Sequence, residues 1–248
     1  MPGFTQLNET EASELHAKDL LIELKIDGSR HTWKNGQLIS DREIVRNERY
    51  VHIAKVLAGY PGLAVRGEVA LPNSNVLRLN RRESWPYAKY YLFDLYKQGK
   101  HDWSRSDLCE RRERLEQLVK DIGSPHITIP QRFKSFNKGW NFVKDHDSEG
   151  LVLKSNYLGL YKCKSYKEAK CLIVGHIPGK LKGAFQISFK GHKAKVSAAS
   201  VDYVKAYKRM TAQGKKVFAE IEYLLETDDG IPFQPALRRI GTKADLSV

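Results

Sequence analysis

The sequence predicts an α+β fold in two domains: strands interspersed with helices over residues 1–167, then a small β-barrel over residues 168–248. Three observations carry this. The 248 residues suffice for a medium domain plus a small one, and a hydrophobic content of 41% allows a core rather than disorder. Up to about residue 168, apolar runs of strand length are interspersed with segments of helical character. Beyond it, short strands broken by glycines surround one helix.

In order along the chain, "LLIELKI" (20–26) reads as a buried strand from its length and its Leu and Ile content. Asn35-Gly36 separates two short extended runs in "RHTWKNGQLISD", the signal of a two-residue hairpin turn. "ERYVHIAKVLAGYPG" reads as a helix that stops at its Gly-Tyr-Pro-Gly end. Strands follow in "LAVRGEVALP" and "AKYYLFDLYKQGK". "DLCERRERLEQLVKDIG" is the clearest helix, with Leu108, Leu115 and Leu118 on one face and charges elsewhere. "ITIPQRF" (127–133) reads as one strand, "NKGWNFVKDHD" as a short helix, and "GLVLKS" and "GLYKCKS" as strands. In residues 168–248, "VDYVKAYKRMTAQGKK" is the helix and "VFAEIEYLLE" a further strand. That pattern fits an OB-fold, and it fits other small β-rich domains as well.

Charge narrows the partners. Lys and Arg number 42 against 29 acidic residues, a net charge of +13. Nucleic acid is the first polyanion to consider and an anionic membrane surface the second. No apolar run approaches the roughly 20 residues of a spanning helix. "MPGFTQLNETEASELHAKDL" has neither a basic n-region nor an apolar h-region, so no secretory signal is expected. Cys109, Cys163 and Cys171 are odd in number and lack the spacing of a zinc site. A reducing, cytoplasmic setting and a monomer are the expectations, since no heptad or large apolar surface announces an oligomer.

The stretch "ELKIDGSR" (23–30) places a lysine in an apolar run and follows it with an aspartate, a glycine and an arginine. An amine is nucleophilic only when uncharged, and partial burial or nearby cations disfavour the ammonium. Asp27 acts in the opposite sense unless a metal ion occupies it. Alone, the stretch reads more simply as a strand-end lysine paired with Asp27 across a turn.

The rest of the chain changes that reading. K-x-D-G-x-R (Lys25, Asp27, Gly28, Arg30) is followed by "SDR" (40–42), "RGEV" (66–69), "YLFDL" (91–95), "EGLVLK" (149–154) and "YKCK" (161–164). Six short motifs in this order resemble the signature of the covalent nucleotidyltransferases: DNA ligases, RNA ligases and mRNA capping enzymes. "VGHIPGK" after them is similar to the opening of the OB domain in ATP-dependent DNA ligases.

The resemblance implies a nucleotidyltransferase domain of mixed and antiparallel sheets with helices, followed by a small β-barrel OB-fold domain, and a reaction in three steps. Lys25 attacks the α-phosphorus of ATP and expels pyrophosphate, the AMP passes to a 5′-phosphate, and a 3′-hydroxyl displaces it. Such chemistry is mostly positioning and charge stabilisation. Lys162 and Lys164 alternate on a strand, so both amines can reach one phosphate. Asp27 and Glu149 are implied as ligands of Mg²⁺ or Mn²⁺, completed by phosphate oxygens. Glu68 is expected on a ribose hydroxyl, Phe93 on the adenine ring, and Glu23 on the adenine amino group. Arg30 and Arg42 are expected on the nucleotide phosphate or the DNA 5′-phosphate, and Lys154 on a further phosphate.

Near the C-terminus, "PFQPALRRIGTKAD" departs from the last motif of the family: Gly241 stands where a second arginine is expected, leaving Arg239 and Lys243 to orient pyrophosphate. Basic stretches 179–183, 189–195, 205–209 and 214–216, with Lys182, Lys190 and Lys193, read as contacts to DNA phosphates without sequence preference. The expected partner is nicked duplex DNA. An RNA ligase is the nearest alternative, although small RNA ligases commonly lack an OB domain here. A capping-type enzyme would transfer GMP, and an NAD-dependent ligase would bring modules not visible here. A non-catalytic basic nucleic-acid-binding protein is the alternative of another class, but binding alone does not require Lys25, Glu149, Lys162 and Lys164 together.

Overall fold

A computed structural model describes residues 4–15, 20–72, 74 and 76–246. The chain divides into two compact units, Met1–Ser165 and Tyr166–Val248.

Two sheets build the larger unit. In the first, strands run in the order Thr5–Leu7, Gly159–Lys164, Gly150–Ser155, Leu21–Leu24 and Arg132–Phe133, antiparallel except for the Thr5–Leu7 edge. Helix Phe136–Asp145, capped by the Ser135 hydroxyl, buries Phe136, Trp140 and Val143 with Ile22, Leu151 and Leu153 of that sheet. In the second, Gln37–Ser40, Ser29–Lys34, Ala64–Ala70, Lys89–Gln98 and His101–Asp102 form an antiparallel ladder, and Ile127–Thr128 joins Lys89–Gln98 in parallel. Its core holds Trp33, Tyr50, Ile53, Tyr90 and Leu92 with Leu115 and Leu118 of helix Leu108–Ile122.

Local chemistry explains the clearest elements. Asn35 (φ 53°) and Gly36 (φ 75°) both take the left-handed conformation of a tight two-residue turn, closed by the Lys34–Gln37 pair. Helix Leu108–Ile122 starts where the Asp107 side chain accepts from the Glu110 N–H and ends at Gly123, φ 60°.

Two elements differ from the expectation. The strand expected over 20–26 ends at Leu24, leaving Lys25 just past the ladder with its N–H still donating to the Gly150 carbonyl at 2.9 Å. The single strand expected over 127–133 is two strands in different sheets, Ile127–Thr128 in the second and Arg132–Phe133 in the first. Pro130 lies between them, and with no N–H to donate it interrupts any continuous ladder.

In the smaller unit, five antiparallel strands run in the order His192–Ser197, Ala184–Phe189, Lys167–Ile177, Phe218–Tyr223 and Ala236–Gly241. Phe185, Ile187, Phe189, Val196, Ala219 and Ile221 form its core, and helix Val201–Ala212 lies against the last strand. The two edge strands adjoin each other, and among the described residues no hydrogen-bonded ladder joins them. No helix among the described residues is long and apolar enough to cross a membrane.

Candidate active site

A pocket of about 190 Å³ in the larger unit takes its walls from both sheets. Glu23, Lys25, Val152, Lys154, Lys162 and Lys164 line it from the first, Arg30, Glu68 and Phe93 from the second, with Phe4 and Pro130 completing the wall. Register puts the first group on one face. Val152 pairs with Glu23 on one side and Lys162 on the other, and alternate residues of each strand share that face.

Glu149 sits between two amines. Its Oε2 accepts from Lys25 Nζ at 2.6 Å, and its Oε1 lies 3.0 Å from Lys164 Nζ. The glycines beside these residues are sterically required. A Cβ on Gly28 would lie 2.4 Å from the Val69 carbonyl oxygen, so only glycine lets the turn after Lys25 rest on the strand that carries Glu68. At Gly150, φ +147°, a Cβ would lie 2.1 Å from the Cys163 carbonyl oxygen.

Ionisable groups in and beside the pocket are perturbed. Burial, then the Glu149 charge, raises the Asp27 carboxyl above its usual range, while the Val76 N–H donates to its Oδ2 at 3.1 Å. Burial, then the Lys164 and Lys25 charges, lowers the Lys162 amine. Lys162 forms no ion pair or hydrogen bond among the described residues. Glu68 moves furthest: burial pushes it up to about 8, with Lys25 pulling back.

Because the folded Glu68 holds its proton above the ordinary carboxylate value, its contribution to stability is full below about pH 4.5 and is lost as pH rises to about 8. Glu68→Gln is therefore expected to melt close to the wild type at pH 4.5 and about 5 °C above it at pH 8.5. Melting curves at the two pH values check this, and parallel pH profiles for the two proteins would refute it.

Within the pocket wall, Glu23 is only 1% exposed. Its oxygens lie 2.8 Å from Arg112 Nε and 2.5 Å from Lys154 Nζ, and Lys154 also donates to the Phe93 carbonyl at 3.1 Å. Glu23 and Lys154 thus pair with each other while both line the pocket, so an adenine or a phosphate would meet them as members of this buried ionic group. Arg30 Nε donates to Asp41 Oδ2 at 2.6 Å, and Arg66 reaches Asp41 Oδ1 at 3.2 Å. Against the upward push of burial, these arginines hold Asp41 below the usual carboxylate range. Arg42, by contrast, is exposed in the turn, outside the pocket, and makes no hydrogen bond or ion pair among the described residues.

Sequence reading missed Arg112, Asp41 and Phe4. Asp41 stands inside "SDR", beside Arg42, and Arg112 occupies the apolar stripe of its helix, four residues after Leu108 and three before Leu115. The remaining candidates belong to the smaller unit. Arg239 Nε donates to Glu220 at 2.5 Å, Lys182 to the Ala199 carbonyl at 2.5 Å and Lys190 to Glu226 at 2.6 Å; Lys193 and Lys243 are exposed.

No group of three or more His, Cys, Asp and Glu side chains among the described residues could hold a metal by itself. Asp27 and Glu149 are nevertheless near enough for one carboxylate to raise the other. A divalent cation relieves such repulsion, and Mg²⁺ characteristically takes one or two carboxylates plus phosphate oxygens. The residues present fit that ion in company with a nucleotide.

No protein-family model matches the sequence, and no curated protein does. Solved structures do match. The chain superposes on a Lig E DNA ligase with a TM-score of 0.70 and 16% identity, covering 97% of this chain and 100% of that one. It superposes on mycobacterial DNA ligase D, solved with ATP and MES, with a TM-score of 0.56 and 19% identity over 97% and 94% of the two chains. For the ligase domain of M. tuberculosis LigD, the values are 0.57, 19%, 96% and 93%. The chain thus has the fold of these DNA ligases along its whole length.

Proposed function

We propose that the protein is an ATP-dependent DNA ligase that seals nicks between a 3′-hydroxyl and a 5′-phosphate. The observation that carries the reading is the meeting of Lys25, Lys162 and Lys164 in one pocket with Arg30, Glu68 and Phe93, with Glu149 paired to both Lys25 and Lys164 beside it. Neighbours solved as DNA ligases, one with ATP bound, support it.

In this reading Glu149, 2.6 Å from the Lys25 amine, accepts its proton. Lys25 Nζ attacks the α-phosphorus of ATP, the bond to the bridging oxygen breaks, and pyrophosphate leaves with the electron pair. Lys162 and Lys164 stabilise the charge on the transferring phosphate. Phe93 offers its ring to the adenine, braced by the Lys154 ammonium 5.1 Å from the ring centroid. Glu68 accepts from a ribose hydroxyl. Asp27 and Glu149 would hold a divalent ion, which supplies further neutralisation of phosphate charge. The DNA 5′-phosphate then displaces Lys25 from the AMP phosphorus, with Arg30 and Arg42 gripping it, and the 3′-hydroxyl attacks the activated phosphate and expels AMP.

The smaller unit is read as an OB-fold: five strands in this order, the helix between the third and fourth, and the outer strands adjacent. Its exposed lysines, Lys193 among them, take the duplex backbone. Arg239 and Lys243 remain the residues proposed for pyrophosphate, which Arg239 can bind only by exchanging Glu220 for it.

One gel tests the reading. The protein is incubated with Mg²⁺ and ATP labelled at the α-phosphate, then chased with nicked DNA or nicked RNA. A labelled band discharged by nicked DNA into sealed product is the expected result. Discharge by RNA alone would make it an RNA ligase, and a preparation free of bound AMP that takes no label would leave a binding protein.

A further inference from the structure

We infer that Leu181 is an apolar wedge by which the smaller unit seats itself in a groove of the duplex. The inference rests on the DNA-binding part of the proposed function and not on its chemistry. Leu181 is 88% exposed, at the tip of the turn between strands Lys167–Ile177 and Ala184–Phe189. A single exposed leucine is ordinary. This one stands on a turn built to hold still.

Gly183 has φ +69°, and a Cβ there would lie 2.1 Å from the Ile177 carbonyl oxygen. A Cβ on Gly179 would lie 2.9 Å from the Gly183 Cα, so the two glycines clasp the base of the turn. His176 Nε2–H donates to the Lys182 carbonyl at 3.1 Å, and the Ala198 N–H donates to the Gly183 carbonyl at 3.2 Å. The Lys182 ammonium donates to the Ala199 carbonyl at 2.5 Å. A turn ordered in this way delivers its tip to a partner with little further loss of conformational freedom.

Charge identifies the partner. Lys180 and Lys182 flank the leucine, and residues 166–248 hold 15 Lys and Arg against 8 Asp and Glu, a net +7. An apolar tip between two cations matches a polyanion whose phosphates lie outside and whose stacked bases lie within. Leucine pressed between base steps from a groove is a recurrent device of DNA-binding proteins. One side chain gives too little area for a stable protein interface or a membrane anchor.

The test uses the full chain and a nicked duplex, with affinity followed by fluorescence anisotropy across salt concentrations. Leu181→Ala is expected to raise Kd about tenfold at every salt concentration, the loss expected of one buried leucine side chain, and to leave the slope of log K against log salt unchanged. Replacing both Lys180 and Lys182 by Ala should instead lower that slope by about 2. A 2-aminopurine base beside the nick should brighten on binding the wild type, reporting unstacking, and stay dark with Leu181→Ala. Equal affinity and equal brightening for the variant would overturn the wedge, as would loss of binding to anionic vesicles with DNA affinity intact. Labelling by ATP should be the same in wild type and variant. If neither takes label while affinity still falls, the ligase reading fails and the wedge stands. If both take label and affinity is unchanged, the wedge fails and the ligase reading stands.

Discussion

Lys25→Ala is expected to take no label from α-labelled ATP, a loss of at least about 10³-fold in adenylation, while binding nicked duplex within about threefold of the wild type. The substitution removes the nucleophile and little else. Glu149 keeps its second partner, Lys164 at 3.0 Å, so the carboxylate is not stranded and the pocket is not left with an uncompensated charge. Duplex affinity, in this reading, comes from basic side chains spread over both units and does not depend on one amine. Label surviving in the variant would show that a neighbouring lysine, Lys162 or Lys164, carries the AMP. A parallel collapse of DNA binding would show instead that the pocket had lost its fold.

Glu23→Ala is expected to destabilise the larger unit by about 3–5 kcal/mol, the usual result of removing one member of a buried ionic group. Arg112 and Lys154 have side-chain exposures of 3% and 8%, and losing Glu23 leaves both cations buried with their shared anion gone. A fall in Tm of about 10 °C follows for a unit of this size. Arg112→Met, which leaves Glu23 paired with Lys154, should cost less. Melting curves of the two variants measure the difference, and a loss below about 1 kcal/mol for Glu23→Ala would mean that water reaches the triad.

What could be read from the sequence follows from the range of the forces involved. Helix Leu108–Ile122 and the Asn35-Gly36 hairpin declare themselves because caps, apolar spacing and left-handed turn residues act within a few positions. Lys25, Glu149, Lys162 and Lys164 could be named together only through the order of their motifs, since nothing local joins residues 124 positions apart. Arg112 escaped for the same reason. On its own helix it looks like one charge among many, and its partner Glu23 lies far up the chain. The chain's passage between sheets at Pro130 was missed because both halves of "ITIPQRF" have strand composition, which does not say which neighbour each half will find.

The first sheet draws its strands from both ends of the larger unit: Leu21–Leu24 lies beside Gly150–Ser155, which lies beside Gly159–Lys164. Such pairing is slow, because the closure entropy of a long loop is met before any contact rewards it. During synthesis the second sheet has most of its strands as soon as residue 102 is made, whereas the first lacks its central strand until residue 155 is made and the strand beside it until residue 164. A nascent chain short of residue 149 holds Lys25 with neither Glu149 nor the paired lysines. The nucleophile is therefore made early and armed last.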